Sequence, residues 1–403
     1  MLKKNILLNW DSSRADLMEP FIALQDYFNF SVVWYKEPPN HPKKHPFEEY
    51  YFGDFKTPYK LLKKIRPDKV IFFGIHSFPQ IALNVAAKNR GITTYTMHHG
   101  VFSSNLSAIT QLRRDMGIVK NKKRFNSITS LYFYFSALRP GNWRELWKYF
   151  YFPFLLYKHG SVEAMKKCVF SIRLPDQYIQ LSPHNAIIYK EMDSLKNDDK
   201  FNYIGHPWFD KFLQDLQAGE TGINGAKEPP YWLLIDFPNI EQNIGFKKIG
   251  ANVKTAFYKQ LSAFAKADGC RLRVKLHPAG YNSNYNYQDD NMELLKGTDI
   301  LRQVLQAKRC FSFYSTLLIP IIYVKHHCIV FDLGLDIGLQ RELIELGAAT
   351  KLDIADFSFG QVTADHSDEK DEKAYCEFIR RYLYNTDGKA TERLKEILQS
   401  EAV

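Results

Sequence analysis

The residues of this chain that could do chemistry collect just after short apolar runs. Lys275-Leu276-His277-Pro278 closes a run that begins at Arg271. Proline has no N–H to give a strand ladder, so the run stops and His277 is left at the mouth of a sheet. An imidazole there can donate to a phosphate or a departing nucleotide; a half-buried strand-end histidine is the alternative. Further on, Cys310–Tyr314 ends in Ser315-Thr316, ahead of an apolar helix over Leu317–Val324. Hydroxyls beside the open N–H groups and positive dipole end of a helix suit a phosphate, although Ser and Thr are also ordinary N-cap residues. Asp236 and Asn239 follow the run Tyr231–Ile235 and are placed to touch the same ligand.

The first half of the chain offers a second set. His98-His99-Gly100 follows Ile92–Met97. Glycine lets the chain turn sharply and leaves an imidazole exposed at the strand end, where it can take a proton from an attacking hydroxyl near neutral pH. Neighbouring strand residues face opposite ways, so His98 and His99 compete for that role, with His99 preferred. Asn9, Asp11 and Ser12 stand just after the first run, and Ser182 and His184 at a further strand end. No Asp-x-Asp pair, His-Glu-x-x-His helix, cysteine cluster or Gly-rich phosphate loop occurs. Neither metal nor cofactor is therefore expected, and the negative charge of a bound phosphate falls to helix ends, His277 and Lys275.

These residues need strands to position them. Asn5–Trp10, Ser31–Tyr35, Val70–Gly74, Ile92–Met97, Tyr178–Leu181 and Asn202–Gly205 read as strands, with helices between them, such as Gln80–Asn89. A second series has Tyr231–Ile235, Arg271–Leu276, Cys310–Tyr314 and Cys328–Asp332. Alternation of this kind predicts α/β architecture with parallel, doubly wound sheets. The Gly- and Pro-rich stretch 216–230 divides a first domain, 1–215, from a second, 231–403. In such sheets ligands bind outside the carboxyl ends of the strands, so a cleft faced by both domains is the expected site.

A basic aromatic insertion at about 102–165 interrupts the first series, with Lys120, Lys122, Lys123 and Arg124 and then Trp143, Trp147 and Tyr149–Tyr157. Two readings fit it: contact with the anionic inner surface of a membrane, or core and dimer contacts. The net charge is +10, which favours polyanions, yet no nucleic-acid-binding signature accompanies it. Five scattered cysteines, no signal-like start and no apolar run of spanning length predict a cytoplasmic protein, peripheral to the inner membrane on the first of those readings.

Lys-x-His-Pro followed by a Ser-Thr pair resembles the bacterial GT-B glycosyltransferases that use cytidine-activated donors: sialyl- and polysialyltransferases, Kdo transferases and teichoic-acid glycerophosphotransferases. The resemblance implies two Rossmann-like domains and a donor phosphate held by His277, Ser315 and Thr316. The glycerophosphotransferases carry a similar Trp-His-Gly element with a proposed catalytic histidine, which maps to His99, and the resemblance implies that the first domain holds the acceptor, lined by Asn9, Asp11, Ser12, His98 and Gly100. The sialyltransferases carry an acidic-Asp-Gly element that this chain lacks. The same resemblance implies a metal-independent, inverting transfer of a sugar from a CMP- or CDP-linked donor to a glycan or lipid-linked acceptor in capsule or lipopolysaccharide synthesis. UDP- or GDP-linked donors, polyol-phosphate transfer, nucleotide-sugar epimerisation and a non-catalytic binding protein are the alternatives.

Overall fold

The computed structural model describes residues 3–10, 15–35, 45–98, 128–219, 229–236, 251–276, 289–296, 300–333, 338–364 and 372–401. Its strands form two sheets, and every strand pair in both is parallel.

The first sheet comprises β1 (Lys4–Asn9), β2 (Phe28–Trp34), β3 (Glu48–Tyr51), β4 (Lys69–Phe72), β5 (Thr93–Met97), β6 (Gln177–Gln180) and β7 (Phe201–Tyr203), in the order β3-β2-β1-β4-β5-β6-β7. Central strands such as β4 are buried on both faces, which their continuous apolar sequence requires. One face packs on Leu17, Met18 and Phe21 of the helix Ala15–Ile22, and Leu394 and Leu398 of the helix Ala390–Gln399 join the same core. The helix Phe78–Lys88 follows β4 and is buried from Phe78 to Ala87; a Ser77–Gln80 capping box opens it.

The second sheet comprises β8 (Tyr231–Ile235), β9 (Arg271–Lys275), β10 (Met292–Leu295), β11 (Arg309–Ser312), β12 (Cys328–Asp332) and β13 (Ala349–Asp353), in the order β10-β9-β8-β11-β12-β13. Its core joins Trp232, Leu234, Leu272, Val274, Phe311 and Phe331 to Phe257, Tyr258 and Leu261 of the helix Ala251–Ala267.

The described residues divide into two compact units, one reaching to Asp210 and the other running from Lys211 to Leu383. From Tyr384 onward the chain belongs to the first unit, whereas the Gly- and Pro-rich boundary predicts all of 231–403 in the second. The returning helix Ala390–Gln399 is fixed at both ends. Asp210, which closes the Gly205-His206-Pro207-Trp208-Phe209-Asp210 segment, accepts from the N–H groups of Ala390 (2.9 Å) and Thr391 (2.6 Å). At the other end Lys69 Nζ donates to the Ser400 and Ile397 carbonyls (2.7 and 3.2 Å), and Lys4 Nζ to that of Gln399 (2.6 Å). A carboxylate at the helix start and ammonium groups at its end both complement the macrodipole. Residues 220–228 of the expected linker and 102–127 of the insertion lie outside the described residues.

Candidate functional site

In the second unit the strand order reverses between β8 and β11, and open α/β sheets take ligands outside the carboxyl ends of the strands at such a reversal. Asp236 leaves β8 at that point. Its N–H donates to the Lys275 carbonyl at 2.9 Å, extending the β8–β9 ladder by one bond. The carboxylate is buried; Tyr258 Oη donates to Oδ1 at 2.7 Å and the buried Lys254 ammonium stands 3.6 Å from Oδ2. Lys254 and Tyr258 are one helical turn apart on Ala251–Ala267, so a single helix face delivers both to the strand end. Asp236 is thus placed after β8 as expected, with its carboxylate held from inside the unit by two groups the sequence did not single out.

Lys275 is the last residue of β9, half-buried, and its ammonium donates to the Leu276 carbonyl at 2.8 Å. Past β11, Tyr314 Oη donates to Asp332 Oδ1 (2.8 Å) and accepts from the Leu333 N–H (2.9 Å), lashing the ends of β11 and β12 together. Ser315 and Thr316 follow. The helix begins at Leu318 rather than Leu317, and its N-cap, Leu317, has no side-chain bond. The Ser315 hydroxyl instead accepts from the Leu317 N–H at 3.2 Å, while Thr316 is exposed. Ser315 therefore closes a tight turn ahead of the helix, and its neighbour's hydroxyl stands in solvent. Two further polar groups belong to these strand ends: Ser312 Oγ, which ends β11, and Gln340 Nε2, in the first turn of Gly338–Glu345 after β12, are buried without a hydrogen-bond partner among the described residues. Buried polar groups of this kind are uncommon in folded proteins and call for a ligand, a water or a strain account.

In the first unit the order reverses between β1 and β4. Asn9, at the end of β1, is fully buried; its Nδ2 donates to the Val33 carbonyl (3.0 Å) and its Oδ1 accepts from Gln80 Nε2 (2.9 Å). Gln80 Oε1 in turn accepts from the Ser77 N–H (3.2 Å) and hydroxyl (3.0 Å), and Tyr35 Oη lies 2.7 Å from Ser77 Oγ. Burial pushes the Tyr35 phenol well up, so it stays a neutral hydroxyl. Asn9 is accordingly a tie between β1, β2 and the Phe78–Lys88 helix, where the sequence placed it on the acceptor side.

His98 follows β5, half-buried, its ring edge-on to Tyr189 (5.6 Å) and 6.1 Å from Phe73. His76 stands in the loop after β4, its ring folded over Gly74 so closely that a Cβ there would lie 2.0 Å from Cε1. The Gly74-x-His76 spacing just past β4 was the only sequence signal for this imidazole. Both amide atoms of Gln180, ending β6, and Trp10 Nε1, after β1, are buried without a hydrogen-bond partner among the described residues. Ser182 caps the helix Pro183–Asp193, its hydroxyl accepting from the Asn185 N–H at 3.2 Å, and the His206 ring stacks on Phe209 at 3.8 Å. His327 Nε2 lies 3.0 Å from Thr350 Oγ1. His99, Gly100, Asp11, Ser12, Asn239, His277 and Pro278 lie outside the described residues. Among the described residues no group of three or more His, Cys, Asp or Glu could hold a metal ion.

No family model matches the chain, and no curated protein is similar to it in sequence. Solved structures are. The calicheamicin glycosyltransferase is 13% identical, with a TM-score of 0.54 over 100% of both chains. The glycotransferase of kitacinnamycin is 12% identical, at 0.53 over 99% of both. The UDP-GlcNAc 2-epimerase of Methanocaldococcus jannaschii, in complex with UDP-GlcNAc and UDP, is 14% identical, at 0.51 over 98% of this chain and 99% of that one. Together with the two parallel sheets, these likenesses establish the GT-B fold, two successive doubly wound α/β domains.

Proposed function

We propose that the chain is a nucleotide-sugar-dependent glycosyltransferase whose donor binds at the carboxyl ends of β8, β9 and β11. The observation that carries this reading is the reversal of strand order between β8 and β11. Asp236, Lys275, Ser315 and Thr316, far apart in sequence, all leave the sheet at one edge around it. His277 follows directly after Leu276 in sequence and is assigned the leaving phosphate, with Ser315 and Thr316. His99 is assigned the acceptor proton. In the transfer, the acceptor oxygen attacks the anomeric carbon as the bond to the donor phosphate breaks. The proton passes to the imidazole and the nucleotide leaves with the electron pair, inverting the centre. A cytidine-linked donor and a glycan hydroxyl of a surface polysaccharide, free or lipid-linked, are the substrates the Lys275-x-His277-Pro278 and Ser315-Thr316 pattern favours.

A thermal-shift screen with CMP-, CDP-, UDP- and GDP-sugars tests it. A nucleotide at a hundred times its Kd adds about 2.7 kcal/mol of stability. No shift with any of the four would remove the donor site. An epimerase reading is favoured by the neighbour that holds UDP-GlcNAc and UDP. It is told apart by product: an epimerase converts the sugar while it stays on the nucleotide and needs no acceptor, whereas a transferase releases free nucleotide only when an acceptor is supplied.

A further inference from the structure

The sequence left the aromatic segment between two readings, and the structure divides it by face. On the helix Leu146–His159, Tyr149, Phe152 and Leu155 point inward and are buried. Tyr149 stacks on Tyr134 at 4.0 Å, and each of these hydroxyls donates to the other residue's carbonyl (2.8 and 2.9 Å). The inward face is therefore rigidly seated in the first unit. The outward face carries Trp147 (64% exposed), Phe150 (57%), Tyr151 (44%), Phe154 (54%) and Tyr157 (62%). At 100° per residue these five fall within one stripe. They are pre-arranged: Tyr151 stacks on Phe154 at 5.8 Å, and Phe150 on Phe135 at 5.0 Å. Exposed aromatic area on this scale marks an interaction surface rather than ordinary surface scatter.

The charge beside the stripe is basic. The helix has no acidic residue. Arg144 and Lys158 are exposed at its two ends, Lys158 Nζ lying 5.9 Å from the Phe154 ring centre, and beside His159 the exposed Lys167 is joined by one carboxylate, Glu163. The carboxylate at its start, Glu145, is turned away to the Ile172 N–H and the Ser171 hydroxyl, both at 3.1 Å. No helix among the described residues is long and apolar enough to cross a membrane.

We propose that this stripe docks the protein flat on an anionic lipid surface, the rings entering the headgroup layer and the basic rim meeting lipid phosphates. Charge selects lipid over a second copy of the chain: a two-fold interface would set Arg144 and Lys158 of one copy against the same cations of the other. The proposal does not depend on the transferase reading, since lipid binding is measured without any sugar substrate.

Sedimentation of the full chain with vesicles of phosphatidylcholine alone, and of phosphatidylcholine mixed with phosphatidylglycerol, tests it. Binding to the mixed vesicles should exceed binding to neutral ones at least about tenfold and weaken as salt is raised. Trp147→Ser with Phe154→Ser should lose at least about tenfold in partitioning with an unchanged melting temperature, because both side chains are outside the core. Arg144→Glu with Lys158→Glu, which leaves the rings in place, should abolish the preference for anionic vesicles and stands in if the first variant does not fold. Equal vesicle binding by wild type and both variants would overturn the proposal, as would no binding by the wild type. So would a wild-type dimer that the Trp147→Ser, Phe154→Ser variant turns into a monomer.

Discussion

Asp210→Ala should loosen the first unit without touching either strand-end cluster. The carboxylate is buried and accepts two N–H groups at the start of the Ala390–Gln399 helix, at 2.9 and 2.6 Å. A hydrogen bond to a charged acceptor contributes about 1.5–3 kcal/mol net, and loss of a helix cap alone costs about 0.5–2 kcal/mol. Taken together, the expected loss is about 2–4 kcal/mol. The bonds run between segments far apart in sequence, so the loss includes the docking of Leu394 and Leu398 into the core below β1 and β4. At about 2–4 °C per kcal/mol for a unit of this size, the melting transition of the first unit should fall by roughly 5–15 °C. Asp210→Asn keeps an oxygen for one N–H and gives up the charge, so it should fall between the two, at about 1–2 kcal/mol. Hydrogen exchange gives the local readout: amides of 391–399 should exchange faster in Asp210→Ala, while those of β8, β9 and β11 keep their wild-type rates. A melting temperature within a degree of wild type, or unchanged exchange across 391–399, would refute the assignment of Asp210 as the anchor.

Lys69 makes stability depend on pH in the opposite sense to an ordinary ion pair. Burial pushes its ammonium down to about 8, while the unfolded chain holds that proton to about 10.4. Between those values the unfolded state binds more protons, so the Lys69 contribution to stability rises with pH, and the cost of burying the charge is in full force below 8. Urea midpoints of wild type and Lys69→Met at pH 7.5 and pH 9.5 should show the increment in wild type alone. Asn9→Leu removes the partners of Gln80 Nε2 and the Val33 carbonyl; denaturant unfolding should register a loss of about 2–4 kcal/mol. Gln180→Met removes an amide with both atoms buried and without a partner among the described residues, so it should raise stability by about 1–2 kcal/mol, read as an increased urea midpoint at constant slope. Lys254→Met leaves the Asp236 carboxylate with Tyr258 and without its cation; a loss of about 3–5 kcal/mol is expected, and any nucleotide stabilisation found in the thermal-shift screen should shrink with it.

Continuous apolar runs such as Val70-Ile71-Phe72 and Tyr231-Trp232-Leu233-Leu234-Ile235 were readable as central strands because burial on both faces admits few other sequences. The strands that escaped notice were β3, β10 and β13, all at sheet edges. Glu-Glu-Tyr-Tyr, Met-Glu-Leu-Leu and Ala-Thr-Lys-Leu-Asp have one neighbour each and half-exposed side chains, so no apolar run announces them. The candidate site divides in the same way. Asp236 and Lys275 could be placed at strand ends from the sequence because a strand end is a local event. Lys254 and Gln80 were not, because a Lys or Gln in a helix says nothing of the strand end it will meet. The return of the last helix was invisible for a related reason: an amphipathic stripe declares that it will be buried, not beneath which sheet. The aromatic segment could not be sorted by composition either, since Tyr149 and Phe150 are adjacent and only the helix phase separates the buried ring from the exposed one.

The closing of the first unit by the helix Ala390–Gln399 also sets an order of assembly. The described residues of the second unit all fall within one continuous stretch, 211–383, so that stretch can fold while synthesis continues. The first unit starts to emerge earlier yet finishes later. Its sheet has left the ribosome long before Leu394 and Leu398 arrive to cover one face, and Lys4, Lys69 and Asp210 wait for the same segment. A nascent chain stopped after Leu383 should therefore expose the apolar underside of β1 and β4 and recruit chaperones that the longer chain does not hold.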